Sequence, residues 1–296
     1  MMIIRVEKAS SEILDQIANL VLANEPYRRE SFPTSADKTS LLATFRKLGP
    51  QWTILTHEQT LALFVLSEIQ GHGSIDYLCL RTPETITNFA SEVINELEKT
   101  PITNISLTTN VGLAERLVVQ GFTKKSTILN FSRQISETQF MPILPITNPK
   151  SRDLPSLAKL MHEAYAKGRI PKYASSDEAA KRLQEIVSNR EYLAECSFVS
   201  GSGGNYVSAC FVTSPSKGAA NISELFTHPL YRARGLATSE VAMAMNRLAK
   251  RNYSKLNVCG VDDGNDVACR LFSKLGFEQT DKKMTVSKSL KKAAVL

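Results

Sequence analysis

Several features that would point to particular classes of protein are missing from this sequence of 296 residues. The first ten residues, MMIIRVEKAS, lack the long apolar core of a signal peptide, and no uninterrupted apolar run is long enough to span a membrane. The sequence therefore predicts a cytoplasmic protein without a membrane partner. The five cysteines are scattered and include no Cys-x-x-Cys pair, so neither a disulfide framework nor a zinc knuckle is indicated: Cys79, Cys196, Cys210, Cys259 and Cys269.

Metal and nucleic-acid sites have little support in the composition. The four histidines do not cluster, so no metal site is predicted. The net charge is +7, but the basic residues are spread widely and no DNA- or RNA-binding motif is present. We interpret the charge as a solvated surface and expect no nucleic-acid partner, although the net charge alone leaves polyanion binding open.

One stretch combines a strand, a loop and a helix in a pattern typical of an anion site. Residues 221–226 alternate apolar with polar side chains, and Pro229 ends this strand because it has no N–H to donate. A helical apolar stripe follows over residues 236–248, with the small residues Gly235 and Ala237 at its start. Free N–H groups and the positive end of the helix dipole there suit a phosphate. The alternative is an ordinary strand-to-helix connection.

A family resemblance rests on this stretch and on a second one. The pattern Arg232-x-x-Gly235-x-Ala237 resembles the pyrophosphate loop of the GNAT superfamily of acyl-CoA-dependent acyltransferases, written Arg/Gln-x-x-Gly-x-Gly/Ala. Residues 265–277 match a second signature of that superfamily, Asn-x-x-Ala-x-x-Leu-Tyr-x-x-x-Gly-Phe, except that Phe272 stands in place of the tyrosine. The two motifs occur in the right order, about a strand and a helix apart, and the resemblance covers roughly residues 140–290.

The resemblance and an internal repeat together predict the fold. Residues 110–122 echo residues 265–277, with Asn and Gly-Phe at the same spacing, and the chain is long enough for two domains. We expect an α+β fold of two tandem GNAT-like domains, residues 1–136 and 137–296, each with a mixed, mostly antiparallel central sheet flanked by helices. The first domain has Glu84 and no glycine where the second has its anion loop. It is therefore predicted to be degenerate, and a divergent second active site is the less favoured alternative.

The resemblance implies which residues hold the cofactor. Acetyl-CoA is the expected co-substrate, with backbone groups of Phe226 and Thr227 lining its pantetheine arm and thioester carbonyl. Asn265 should contact the pantetheine arm, cap the following helix, or both. Phe272 completes the expected cofactor site. The pyrophosphate should lie against backbone amides and side chains of one loop: Arg232, Ala233, Arg234, Gly235, Leu236, Ala237 and Thr238.

The resemblance also implies direct attack of a primary amine on the thioester in a ternary complex. Glu224 is the best candidate for the general base, and strict alternation would place it on the same side of its strand as Ile222 and Phe226. A purely structural carboxylate is the alternative. Phe272 has no hydroxyl to protonate the departing thiolate, so the thiolate leaves unaided or another group serves.

The predicted function is N-acetyl transfer to a small-molecule or peptide amine. The segment of residues 165–173 is expected to help form the acceptor site. A non-catalytic acyl-CoA-binding or regulatory protein is the alternative, because Phe272 and the degenerate first half both weaken the case for turnover. The oligomeric state is not predicted.

Overall fold

A computed structural model of the chain describes residues 2–23, 37–47, 52–56, 61–69, 71–81, 85–137, 144–166, 172–202 and 205–290. The chain forms two compact units: the first contains residues 1–127 and 282–296, and the second contains residues 128–281. The division into sequence domains at residues 136 and 137 stays a prediction. Within the described ranges, no helix is long and apolar enough to cross a membrane.

The first unit is a sheet with helices, and its last strand comes from the end of the chain. Its elements are β1 (Met2–Arg5), α1 (Ser11–Ala23), α2 (Lys38–Phe45), β2 (Trp52–Thr56), β3 (Leu61–Ile69), β4 (His72–Leu80), α3 (Ile86–Leu97), β5 (Asn104–Asn110), α4 (Val111–Val119), the start of β6 (Thr123–Gln134) and most of β12 (Glu278–Ser289). The strands lie in the order β1-β2-β3-β4-β5-β12. Only the β4–β5 pair among them is parallel.

The second unit has the same plan. Its further elements are β7 (Ile146–Thr147), α5 (Leu154–Ala166), α6 (Ser176–Ser188), β8 (Phe198–Ser202), β9 (Asn205–Ser216), β10 (Ala219–Thr227), α7 (Leu236–Ala249), β11 (Lys255–Asp262) and α8 (Asp266–Lys274). The strands lie in the order β7-β8-β9-β10-β11-β6, and the β10–β11 pair is parallel. A mixed, mostly antiparallel sheet flanked by helices in each unit confirms the predicted fold class.

Apolar side chains cover both faces of the second sheet. On one face, α5 and α6 pack against residues of β8, β9 and β10, including Phe211 and Phe226. On the other face, α7 and Phe272 of α8 pack against residues including Val212 and Ile222. Amphipathic stripes on the helices dictate these layers, because each helix must bury one apolar face.

A bulge in β10 changes which face its residues occupy. Between Ile222 and Glu224 the strand gains one residue, Ser223, relative to β9. As a result Ile222 packs with α7, whereas Phe226 packs with α5 and α6, and the Glu224 side chain lies on the Phe226 side. The prediction that Glu224 shares a side with Ile222 was wrong, because an extra residue interrupts the alternation of a strand.

Candidate active site

Two neighbouring parallel strands separate at their carboxyl ends. The pairing of β10 with β11 runs from Ala219↔Lys255 to Ile222↔Val258, although both strands continue beyond these residues. The bulge at Ser223 bends β10, and a second irregularity bends β11 where Gly260 adopts a φ of 77°. Residues 224–227 and 259–262 therefore bound a gap, which we call the strand opening. Backbone groups along such an opening are available to an extended ligand.

The loop after β10 presents backbone amides at the start of α7. Ala233 and Gly235 both have positive φ, 60° and 77°, and residues 231–235 are exposed. The first i-to-i−4 hydrogen bond of α7 runs from the Ser239 N–H to the Gly235 carbonyl, at 2.9 Å. The amides of residues 236–238 thus have no acceptor within the helix. Together with the helix dipole, this loop geometry suits a phosphate group.

The two loop arginines are placed differently. The Arg232 guanidinium donates to the carbonyls of Ala164 and Thr227, at 2.6 and 3.3 Å, and so ties the end of α5 to the end of β10. The Arg234 guanidinium lies 5.1 Å from the ring centre of Tyr231 on the exposed loop. In this arrangement Arg232 braces the loop, and Arg234 supplies its outward-facing positive charge.

Two residues of the second motif, Asn265 and Phe272, have clear local roles. Asn265 accepts a hydrogen bond from the Ala268 N–H at 3.1 Å and caps α8. Phe272 is buried in the core, with ring centres 5.9 Å from Phe131 and 5.4 Å from Phe277. Contact of either side chain with a cofactor stays a prediction.

Glu224 lies at the centre of a buried polar cluster. Its carboxylate accepts hydrogen bonds from the Tyr165 and Tyr173 hydroxyls, at 3.0 and 2.9 Å. The Lys172 ammonium donates to both carboxylate oxygens at 3.0 Å, and the Arg182 guanidinium donates at 3.4 Å. The Glu224 side chain is 2% exposed, whereas those of Lys172 and Arg182 are 48% and 43% exposed. One buried negative charge is thus faced by two half-exposed positive charges.

Both tyrosines of the cluster act as hydrogen-bond donors. Burial raises the pKa of the Tyr165 hydroxyl well above its ordinary value, and the negative charge of Glu224 adds to this effect. The pKa of Tyr173 is raised for the same two reasons, in the same order. Neither phenol therefore ionises near neutral pH, and neither serves as a tyrosinate base.

The cluster surrounds an ammonium group. The Lys172 nitrogen lies 4.8 and 5.4 Å from the ring centres of Tyr165 and Tyr173, in addition to its contact with the Glu224 carboxylate. A carboxylate and two aromatic faces form a favourable environment for a cation. We call this arrangement the ammonium site. The Lys172 side chain is half exposed, so the ammonium site is open to solvent.

Sequence reasoning named part of this cluster. The segment of residues 165–173 was expected near the acceptor, and it supplies Tyr165, Lys172 and Tyr173. Residues 167–171 of that segment lie outside the described residues. No pattern in the sequence linked the segment, or Arg182 on α6, to Glu224.

A second buried carboxyl group was missed altogether. Glu240 on α7 accepts hydrogen bonds from the hydroxyls of Ser200 and Ser208, at 2.6 and 2.8 Å. The Ser208 hydroxyl is in turn 2.8 Å from the Thr227 hydroxyl. Burial raises the pKa of Glu240 to about 8, with hydrogen bonds from the serines acting in the opposite direction. A Glu on the inner stripe of an amphipathic helix was the signal that could have found it.

Two other predictions concern absences. Across the residues placed by the structure, no group of three His, Cys, Asp or Glu side chains could hold a metal ion. The loop of the first half that corresponds to residues 232–238 includes residues 82–84, which lie outside the described ranges. The degeneracy of the first half therefore stays a prediction.

Comparisons with known proteins found a family match and similar folds. Residues 158–277 match the model of the acetyltransferase (GNAT) family. Three solved structures are similar over almost the whole chain. A GCN5-related N-acetyltransferase from Sphaerobacter thermophilus is 14% identical, with 100% of this chain and 97% of that chain covered and a TM-score of 0.70.

The other two structures are a tandem GNAT protein and an acetyltransferase. The tandem GNAT protein, from the clavulanic acid biosynthesis pathway, is 11% identical, with 99% of each chain covered and a TM-score of 0.61. An acetyltransferase of the GNAT family from Colwellia psychrerythraea is 12% identical, with 98% and 100% covered and a TM-score of 0.59. Such low identities support the fold alone, and no curated protein matches the sequence.

Proposed function

We propose that this chain transfers an acetyl group from acetyl-CoA to a primary amine. The premise is that residues 158–277 form a domain of the acetyltransferase (GNAT) family. The observation that carries the proposal is the ammonium site around Glu224, which lies on β10 three residues before that strand ends and eight residues before the loop of residues 232–238 begins. A cluster suited to a cationic amine, on the strand that leads to a loop suited to a phosphate, supports transfer from a CoA thioester to an amine. The acceptor is a small-molecule or peptide amine.

The co-substrate fits the residues that are present. The strand opening suits an extended pantetheine arm, with its thioester near Phe226 and Thr227. The amides of the loop suit the pyrophosphate, together with the charge of Arg234. When bound, acetyl-CoA supplies an activated acyl group, and the chain holds it next to the amine so that the reaction gains from proximity.

The ammonium site suggests how an amine acceptor enters. An acceptor arriving as an ammonium ion replaces the ammonium of Lys172, which leaves the charge beside Glu224 unchanged. The Tyr165 and Tyr173 hydroxyls keep their hydrogen bonds to the carboxylate during this exchange. Glu224 then accepts the proton that the ammonium must lose before its nitrogen can attack the thioester carbonyl.

Replacing Ala237 with aspartate is expected to weaken acetyl-CoA binding by about 100-fold or more, because the new carboxylate lies beside the pyrophosphate. Calorimetric titration measures this effect, and the wild type should bind one acetyl-CoA per chain with a free energy of about −8 kcal/mol. Aspartate in the first turn of α7 favours the helix dipole, so the fold is retained. The neutral Ala237→Ser variant is the matched control. Equal affinities of the Asp and Ser variants would contradict the site, and two molecules per chain would contradict a silent first half.

Replacing Lys172 with methionine is expected to lower the KM for the amine acceptor by about tenfold, because the competing ammonium is removed. Steady-state kinetics over a library of primary amines, with CoA release as the readout, measures this change. Lys181→Met, which removes the same charge from the exposed surface of α6, is the control. A raised KM would mean that Lys172 binds an anionic part of the acceptor instead.

The same kinetics separate the alternative function. Phe272 is buried among aromatic rings and offers no hydroxyl to a thiolate. Acetyl-CoA binding without amine-stimulated CoA release would favour a non-catalytic acyl-CoA-binding or regulatory protein.

A further inference from the structure

A path of hydrogen-bonded groups, which we call the proton path, leads from the interior of the second unit to the end of β10. It begins at Glu240, whose residue is fully buried, and continues through Ser208 on β9 to Thr227, the last residue of β10. Each step is 2.8 Å long. Thr227 is half-buried, whereas Ser208 is buried. The proposed acyl transfer to the amine uses neither Glu240 nor Ser208.

The hydrogen bonds of the proton path can be donated in either direction. When Glu240 is ionised, Ser208 donates to it and Thr227 donates to Ser208. When Glu240 is protonated, it donates its proton to Ser208, and Ser208 donates to Thr227. The Thr227 hydroxyl can then donate to a group beyond the proton path. The same positions of the oxygen atoms serve both states. A proton can therefore pass along the proton path by a shift of hydrogen atoms alone.

Thr227, at the outer end of the proton path, is one of the residues that bound the strand opening. Thr227 is five residues beyond Ile222, the last residue of β10 that is paired with β11. The Ser208 hydroxyl also lies 3.2 Å from the Phe226 carbonyl oxygen, so the proton path contacts the backbone that bounds the strand opening. If the proposed function is right, the thioester is bound at this point.

We propose that Glu240 supplies, through Ser208 and Thr227, the proton that the departing CoA thiolate takes up. Thr227 is the group that touches the leaving sulfur, and Glu240 and Ser208 act through it. The inference rests on the proposed function and deepens it. It also assigns a proton donor in a domain where Phe272 has no hydroxyl.

The step balances without any further reactant. The amine nitrogen forms a bond to the acyl carbon, the carbon–sulfur bond breaks, and the thiolate takes the Thr227 proton. Ser208 reprotonates Thr227, Glu240 reprotonates Ser208, and Glu240 remains as a carboxylate. The nitrogen of an ammonium acceptor loses two protons: Glu224 passes the first to solvent, and the second, lost once the new bond has formed, replaces the proton of Glu240 by way of solvent and the proton path. One proton is therefore released overall.

The properties of Glu240 match this task. Its pKa, raised to about 8 by burial, lies near that of an ordinary thiol, about 8.5. A proton donor is most effective when its pKa lies near the working pH. At neutral pH Glu240 is mostly protonated and can donate, and above pH 8 it loses this capacity.

The titratable groups around Glu240 do not compete with it. Cys210 on β9 has a pKa raised well above its ordinary value by burial and, secondarily, by the charge of Glu240. Burial raises the pKa of Cys196, in the short 3-10 helix before β8, to about 11, against a smaller opposite effect of Arg247 on α7. Ser200 on β8 does not titrate in this range. Among these described neighbours, Glu240 is the group that changes charge near pH 8.

The test is the pH dependence of kcat in three variants. In the wild type, kcat should fall as the pH rises through about 8, because protonated Glu240 is lost. Glu240→Gln and Thr227→Val should each lower kcat below that pH by about tenfold, a modest effect because a thiolate is a fair leaving group. Both should also remove the fall at high pH. The affinity for acetyl-CoA, measured by calorimetry, should stay within about twofold.

Ser200→Ala is the matched control. It removes a hydrogen bond to the other oxygen of Glu240, outside the proton path, and that bond lowers the pKa of Glu240. This variant should keep its maximal kcat and move the fall of kcat to higher pH. A merely structural role of Glu240 would give no such shift.

The outcomes separate this inference from the proposed function. If Thr227→Val and Glu240→Gln turn over with the wild-type pH profile, the proton path is wrong and the acyltransferase stands. If the wild type neither binds acetyl-CoA nor releases CoA with any amine, both are overturned together. If only Thr227→Val keeps the wild-type profile, the path does not pass through Thr227 and the inference fails.

Discussion

Replacing Glu224 with alanine is expected to lower the free energy of unfolding by about 1–3 kcal/mol, because the buried Tyr173 hydroxyl loses its acceptor. Tyr173 is buried, and leaving its phenol unsatisfied costs about 1–3 kcal/mol, whereas the Tyr165 hydroxyl keeps a second acceptor, the Leu225 carbonyl, at 3.3 Å. The cations of Lys172 and Arg182 are half exposed and regain water, so they add little to the loss.

Denaturant unfolding at neutral pH measures this loss. Glu224→Gln keeps an oxygen acceptor of the same size, so it should lose less stability than Glu224→Ala. Glu185→Ala is a second control, since its exposed ion pair with Arg182 at 3.4 Å is worth less than about 1 kcal/mol. A Glu224→Ala protein as stable as the Glu185→Ala protein would show that the cluster does not stabilise the fold.

The same variants separate the two proposed roles of Glu224. Glu224→Gln has no carboxylate to accept a proton, so its kcat should fall by about 100-fold or more if Glu224 is the general base. If Glu224 is only structural, Glu224→Gln should retain wild-type kcat wherever it is folded. Stability and rate therefore report on different properties of one residue.

The unfolding free energy is expected to fall by up to about 1.4 kcal/mol for each unit of pH between about 5 and 8, through Glu240 alone. Its pKa is raised from 4.5 to about 8 on folding, so between these values the folded state holds a proton that the unfolded state has lost. The unfolded state then binds fewer protons, and the free energy of unfolding decreases with rising pH. This contribution is fully present below pH 4.5 and is lost by about pH 8.

Glu240→Gln should remove this pH dependence. Glutamine can accept from one serine and donate to the other, and it carries no charge at any pH. The free energy of unfolding is measured with denaturant at several pH values between 5 and 8.5. As the pH rises over this range, the stability of Glu240→Gln relative to the wild type should increase by several kcal/mol. Glu185→Gln, at an exposed position, should stay parallel to the wild type. Parallel curves for Glu240→Gln would show that Glu240 is ionised in the folded protein.

Local features were predictable because adjacent residues decide them. The small residues of the loop predicted the free amides at the start of α7. Asn265 predicted the cap of α8, since its side chain reaches an amide three residues ahead. The apolar stripe of residues 236–248 predicted the buried face of α7, and the internal repeat predicted two similar sheets.

The candidate site depended on features that a linear pattern does not record. The bulge at Ser223 is a relation between β10 and β9, and it decides that Glu224 faces α5 and α6. The partners of Glu224 lie 42 to 59 residues away along the chain. The path from Glu240 joins three separate elements.

The sequence by itself determined the elements, the two motifs and the free amides at the start of α7, because these depend on interactions within a few residues. Tertiary structure alone decided which side chains share a face and which strands pair. The last strand illustrates this, since Lys283 to Ser289 pair with Asn110 to Asn104 of β5, in the first unit. Pairing of distant strands depends on the packing of the whole sheet, and no local preference specifies it.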